Sequence, residues 1–167
     1  MANTYTKIAS VAVGSGGSAS IDFTSIPSTY TDLLVKVSGR EATGTSLLFT
    51  MQINGVATNQ ATRELRGSGS AASSGTNTIA TLDQNGSGTT ASVFGSADIY
   101  IPNYASTSTY KSYSIDSVSE NNGTAAYMRL SAGLWSSNSA INQLTFYASS
   151  GNIAQYSTAT LYGIVKS

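Results

Sequence analysis

The feature that most constrains this chain is a recurring two-residue alternation of apolar and polar side chains. Residues 47–53, with the sequence LLFTMQI, carry apolar side chains at every second position and end at Asn54-Gly55. An Asn-Gly pair is preferred in tight hairpin turns, and alternation with this period is typical of a strand with one buried face. The segment therefore predicts a β-strand that packs one face on a core.

Similar segments follow one another along the chain. Residues 32–38 alternate in the same way, and we expect them to pair with 47–53. No helical periodicity is visible, so the sequence predicts an all-β fold, an antiparallel β-sandwich that is jelly-roll-like, with about 8–10 strands. The remaining strands are predicted at 5–13, 19–23, 78–82, 93–101, 110–118, 125–131, 141–148 and 157–165.

We expect residues 1–167 to form one β-sandwich domain, because 167 residues can enclose a single core. Two Gly/Ser-rich tracts, near 14–18 and 67–76, interrupt the alternation. We interpret both as flexible surface loops. The alternative for the second tract is an arm that becomes ordered only when a neighbouring subunit binds it.

Charge excludes several classes of partner. Charged residues make up 10% of the chain and the formal net charge is +0, so no field attracts nucleic acid or an anionic membrane surface. A neutral surface gives little protection against self-association, which favours a protein held in an assembly. The N-terminus lacks the features of a signal peptide, and we expect synthesis and folding in the cytoplasm.

Residue types exclude most catalytic chemistry. The chain has no histidine and no cysteine, which removes the commonest general base, nucleophile partner and metal ligand. Lysines stand near serines at Lys36 and Lys111, but such neighbours arise by chance in a Ser-rich chain. Residues 83–88 begin like a calcium loop, yet Phe94 occupies the twelfth position, where a bidentate Glu is needed. We predict no catalytic, cofactor-binding or metal-binding residues, and no enzyme.

Acidic side chains are scattered singly along the chain. Paired carboxylates could serve glycoside hydrolysis, but the sequence does not show whether any two of them converge. Solvated strand ends and turn caps are the better explanation for most of them. The set comprises Asp22, Asp32, Glu41, Glu64, Asp83, Asp98, Asp116 and Glu120.

The aromatic residues are mostly tyrosine, with Tyr 10 against Phe 4 and Trp 1. Tyrosine combines apolar area with a polar tip and is enriched at interfaces. Tyr100 and Tyr104 flank a Pro-Asn turn, and Trp135 precedes a Ser-rich bend. We therefore predict Trp135, Tyr100 and Tyr104 as interface residues, with packing in the core as the alternative for each.

Several segments together resemble small virion structural proteins of tailed bacteriophages. They are 21–33 (IDFTSIPSTYTDL), 101–105 (IPNYA) followed by Lys111, 140–146 (AINQLTF), 151–153 (GNI) and 159–164 (ATLYGI). These motifs are structural and carry no catalytic residue. The resemblance implies a virion component, either a capsid decoration (cement) protein or a fibre or spike domain.

The absence of coiled-coil heptads favours the decoration protein. It would lie on the capsid exterior, form a homotrimer and bridge subunits of the major capsid protein. The alternative is a receptor-binding domain of a tail fibre or tailspike, and only that alternative includes a host glycan as partner. A polysaccharide-degrading enzyme is a third hypothesis, which depends on the scattered acidic residues alone.

Overall fold

Twelve β-strands and no helix form the part of the chain that the computed structural model describes, residues 5–43, 48–123 and 126–165. No helix that could cross a membrane is found among these residues. The strands are β1 (Tyr5–Ala12), β2 (Ser20–Phe23), β3 (Asp32–Gly39), β4 (Leu48–Ile53), β5 (Gln60–Gly67), β6 (Ala72–Asn77), β7 (Ala80–Asp83), β8 (Gly95–Pro102), β9 (Lys111–Val118), β10 (Met128–Trp135), β11 (Leu144–Ala148) and β12 (Thr158–Ile164).

The strands form two antiparallel sheets packed face to face. The larger sheet has the order β1-β12-β3-β8-β9-β10-β5-β6, and the smaller has the order β2-β11-β4-β7. Strands β1 to β4 alternate between the two sheets, as do β7 and β8 and then β11 and β12. This is the connectivity of a two-sheet jelly roll. The predicted all-β antiparallel sandwich is confirmed.

Two hairpins are added to this eight-stranded framework. The hairpin β5–β6 lies between β4 and β7 in the chain, and β9–β10 lies between β8 and β11. Both join the larger sheet on the same side, beyond β8, with β10 pairing with β5. The larger sheet therefore grows to eight strands while the smaller one keeps four.

The core lies between the sheets and is built by the alternation seen in the sequence. Leu33, Val35 and Val37 of β3 belong to the same buried cluster as Phe49 and Met51 of β4. Each of these side chains is at most 2% exposed. Because inward positions alternate with outward ones, each strand contributes every second residue to a single apolar layer.

Each of the ten predicted strand segments overlaps a strand of the structure, but the predicted pairing of 32–38 with 47–53 is wrong. Strand β3 lies between β12 and β8 in the larger sheet, whereas β4 lies between β11 and β7 in the smaller one. The two strands meet across the core, through side chains, because alternation identifies a buried face and gives no information about edges. Leu47 lies outside the described residues.

The predicted loop at 67–76 is also wrong in part. Residues Ala72–Asn77 form β6, which pairs with β5 from Thr62↔Asn77 to Gly67↔Ala72. Only a short turn joins the two strands, with the Ser68 amide donating to the Ala71 carbonyl at 2.9 Å. A small, polar sequence pairs here because β6 is an edge strand, whose side chains need not fill a core. The tract at 14–18 connects β1 to β2.

Parts of three segments singled out in the sequence, 21–33, 101–105 and 140–146, meet at one end of the sandwich. The buried Asp32 carboxylate accepts hydrogen bonds from the Tyr100 hydroxyl at 2.8 Å and the Asn103 amide at 3.0 Å. The Tyr104 hydroxyl donates to the Pro27 carbonyl, and the Ile141 amide donates to the Tyr104 carbonyl at 2.9 Å. These residues act together to hold the loops between the two sheets.

Candidate functional site

The outer face of the larger sheet carries a concave surface. An open groove of about 1410 Å³ runs across this face, from Tyr5 on β1 to Thr76 on β6. The strand register fixes which side chains stand side by side in it, because directly opposed residues of antiparallel strands project to the same side. Three groups of side chains share this face.

The first group is an aliphatic patch on β5, β9 and β10. Leu65 pairs directly with Leu130, and Met128 pairs directly with Val118. Their exposed fractions range from 38% for Val118 to 63% for Leu65, and Leu134, at 37%, extends the patch along β10. An exposed apolar cluster of this kind is a candidate for contact with another molecule.

The second group is a tyrosine row on β1, β12, β3 and β8. Tyr162 pairs directly with Leu34, and Leu34 pairs directly with Tyr100. The Tyr5 ring contacts the Tyr162 ring edge to face, with 6.4 Å between centroids. Burial raises the pKa of Tyr100, and its hydrogen bond to the Asp32 carboxylate raises the pKa further. The row is therefore an aromatic surface on which the Asp32 carboxylate holds the Tyr100 hydroxyl in place.

The third group is a charged row on β3, β8 and β9, which on β3 and β8 lies two residues further along the strand than the tyrosine row. Lys36 pairs with Asp98, and Asp98 pairs with Asp116. The Lys36 Nζ lies 2.6 Å from Asp98 Oδ2, with the side chains 52% and 48% exposed. Asp116 is exposed, and among the described residues its carboxylate makes no hydrogen bond or ion pair. A smaller hollow of about 210 Å³ lies over these three side chains.

Two of the three predicted interface residues are buried, so those predictions are wrong. Trp135 is 3% exposed and Tyr104 is 0% exposed, whereas Tyr100 is 38% exposed and lines the groove. Trp135 occupies an inward position of β10, and Tyr104 extends between two loops to reach Pro27. Interfaces and cores select large amphipathic rings for the same reason, which is why the residue type alone could not separate them.

Lys111 is a structural residue that bridges two loops. It is 1% exposed, and its Nζ donates to the carbonyls of Ser106 at 2.6 Å, Ser139 at 2.5 Å and Ser137 at 3.3 Å. Burial lowers the pKa of this ammonium group. Its side chain points inward while the neighbouring Ser112 points outward, so the two do not form a Ser-Lys pair.

Two acidic residues that the sequence could not place converge in a buried ion cluster between the sheets. Arg129 of β10 donates from Nε to Asp83 Oδ2 at 2.7 Å and also binds Glu64. Arg66 of β5 donates to Asp83 Oδ1 at 2.8 Å and stacks 3.6 Å above the Tyr127 ring. Both Asp83 oxygens therefore accept from arginines, and the cluster links β5, β7 and β10.

The segment that begins like a calcium loop is organised by an arginine. The guanidinium of Arg40 donates to the carbonyls of Thr90 at 2.9 Å, Val93 at 2.9 Å and Thr89 at 3.2 Å. Asp83, at the start of the segment, is fully buried in the ion cluster. The backbone carbonyls in this part of the loop therefore accept hydrogen bonds from an arginine of the protein itself.

The sequence contained one signal for the groove that residue type alone had missed. Leu34, Leu65, Leu130 and Tyr162 occupy outward positions of their strands, where alternation predicts polar residues.

Comparison of the chain with family models, with curated proteins and with solved structures finds no match.

Proposed function

We propose that this chain is a non-enzymatic structural protein of a tailed-bacteriophage particle, a capsid decoration protein on the outside of the head. The resemblance of its sequence motifs to small phage virion proteins supports the phage context. A homotrimer that bridges subunits of the major capsid protein is the form we propose. The observation that carries the proposal is the aliphatic patch on the outer face of the larger sheet.

The aliphatic patch has the chemistry of a protein-binding surface. Its five members, Leu65, Val118, Met128, Leu130 and Leu134, are all exposed and carry no charge. The centres of protein interfaces are likewise depleted of charged residues, and the burial of apolar side chains there supplies most of the affinity. The net charge of +0 adds no repulsion between copies.

The mechanism is stabilisation by binding. A protein that binds only the assembled lattice shifts the equilibrium toward that lattice, by an amount set by its concentration relative to its dissociation constant. No reaction is required, and the rigid sandwich would place the patch without a conformational change. Many copies on one head would then raise its resistance to internal pressure.

The test uses heads that lack this protein. Purified chain is added to such heads, and cryo-EM measures the density gained and its copy number. We expect many copies on the head, and loss of binding when Leu65→Asp and Leu130→Asp are combined. Val56→Asp is the matched control, because Val56 is an exposed aliphatic residue outside the patch, at 40% exposure. Unchanged head density, or density only at the tail, would contradict the proposal.

A second candidate is a receptor-binding domain of a tail fibre or tailspike. The tyrosine row favours it, because tyrosine rings on an open groove suit the recognition of a cell-surface ligand. A copy number of a few per particle, together with competition between the purified chain and phage for adsorption to host cells, would support this candidate over the first.

A further inference from the structure

The tyrosine row and the charged row lie side by side and offer two different kinds of contact to one ligand. Tyr162, Leu34 and Tyr100 stand on three neighbouring strands, so they form a strip of apolar and aromatic surface. Lys36 and Asp98 lie two residues further along β3 and β8, a displacement of about 7 Å. A single small ring could contact both rows at once.

The charged row has hydrogen-bonding capacity that the protein does not use. Asp98 and Asp116 are directly opposed on β8 and β9, and like charges in such a position destabilise a sheet. Lys36 pairs with Asp98 at 2.6 Å, and no described residue donates to Asp116. Its carboxylate can therefore accept hydrogen bonds from a ligand.

The chemistry of the two rows fits a sugar. A pyranose has faces of C–H groups that pack on aromatic rings and a rim of hydroxyl groups that donate to carboxylates. The charged row contains one lysine and two aspartates, so it disfavours anionic polymers such as nucleic acid or acidic polysaccharides. The groove extends across the sheet, which gives room for several linked units.

We propose that the tyrosine row and the charged row together bind a neutral oligosaccharide. Sugar rings pack on Tyr100 and Tyr162, and their hydroxyl groups donate to the carboxylates of Asp98 and Asp116. This inference goes beyond the proposed structural function and does not depend on it, because the tyrosine row lies on strands that carry no member of the aliphatic patch. A decoration protein with such a site would adhere to surface glycans.

The test is a binding screen with the full chain. The probes are immobilised amylose, dextran and cello-oligosaccharides as neutral polymers, with alginate and polysialic acid as acidic ones. We expect retention on at least one neutral polymer and none on the acidic ones. Tyr100→Ala and Asp116→Asn should each weaken that binding tenfold or more. Tyr110→Ala is the matched control, because Tyr110 is 60% exposed and lies outside the groove.

Asp116→Asn also separates a binding role from a structural one. Removing one of two facing carboxylates should raise the unfolding midpoint slightly, so weaker binding by this variant cannot be explained by poorer folding. Three results would each overturn the proposal: retention on no neutral polymer, preference for the acidic polymers, or binding by the Tyr100→Ala and Asp116→Asn variants as strong as that of the unchanged chain. Binding of a protein to the tyrosine row and the charged row in place of sugars would overturn it as well.

Discussion

The ring of Tyr113 lies directly over the backbone of Gly133, its cross-strand partner on β10. Tyr113 is 4% exposed, and its hydroxyl donates to Gln60 Oε1 at 2.8 Å. The ring therefore occupies the space that a side chain at position 133 would need. Glycine is required there by close approach, and the contact fixes the packing of β9, β10 and β5 around one ring.

We expect Gly133→Ala to destabilise the fold by about 1–3 kcal/mol, because an added methyl group overlaps a ring that is held in place. Chemical denaturation followed by circular dichroism measures the loss. Gly14→Ala is the control, since nothing lies within 4 Å of the added methyl group, and it should change the free energy of unfolding by less than about 0.5 kcal/mol. Equal losses in the two variants would contradict the packing described.

Arg129→Met should cost about 3–5 kcal/mol, because it leaves the buried Asp83 carboxylate and the partly buried Glu64 carboxylate with fewer donors. Arg129 is 3% exposed and also donates to Thr81 at 2.6 Å. Lys36→Met breaks the exposed pair with Asp98 and should cost less than about 1 kcal/mol. Urea unfolding of both variants makes the comparison, and a loss at Arg129 no larger than at Lys36 would show that the cluster contributes little.

Stability should fall in alkaline solution because of Tyr113. Burial raises the pKa of this phenol above its ordinary value of 10.0, so the unfolded chain releases a proton that the folded chain keeps. The unfolded state then binds fewer protons, and the free energy of unfolding decreases as pH rises above 10. Lys111 acts in the opposite direction just below its ordinary pKa of 10.5, because burial lowers its pKa in the folded state.

Tyr113→Phe isolates the contribution of Tyr113. The variant loses the hydrogen bond to Gln60, so its stability at neutral pH drops, but its slope against pH from about pH 9 to about pH 11.5 should be shallower. Thermal unfolding at each pH gives the slope. A slope identical to that of the unchanged chain would mean that Tyr113 is not the responsible group.

Trp135 should behave as a buried reporter. It is the single tryptophan of the chain, it is 3% exposed, and the Lys111 ammonium lies 5.4 Å from its ring. Its fluorescence should lie at shorter wavelength than in guanidinium-unfolded chain and should resist quenching by iodide. Binding of a partner to the outer face should leave the emission unchanged, whereas a shift on binding would place Trp135 near the interface after all.

Alternation predicted most of the fold because most inward side chains are apolar. Strand β5 escaped prediction because its inward positions carry Gln60, Thr62 and Glu64, so no apolar period appears. Strand β6 escaped because an exposed edge leaves its composition almost unconstrained. Both strands are stabilised by their neighbours instead. Strand β6 pairs with β5 through the backbone, and β5 pairs with β10 and contributes to the buried ion cluster.

The candidate site was less predictable than the fold, because it depends on register. Tyr100 was identified as a contact residue, but its neighbours Tyr162 and Leu34 were not, since they are 62 and 66 positions away in a sequence that gives no strand order. The facing of Asp98 and Asp116 could not be predicted either, because it follows from the register between β8 and β9. Apolar residues at outward strand positions indicate that the outer face of the sheet is a candidate for contact with another molecule, but they do not show which side chains stand side by side on it.

The ion cluster limits how this chain can be shortened. Hairpin β5–β6 is an addition to the eight-stranded jelly roll, yet its Arg66 and Glu64 side chains form ion pairs with Asp83 on β7 and Arg129 on β10. Deleting the hairpin would leave Asp83 beneath the sheet with one arginine in place of two. A chain without the hairpin would therefore also need new residues at the charged positions left on β7 and β10.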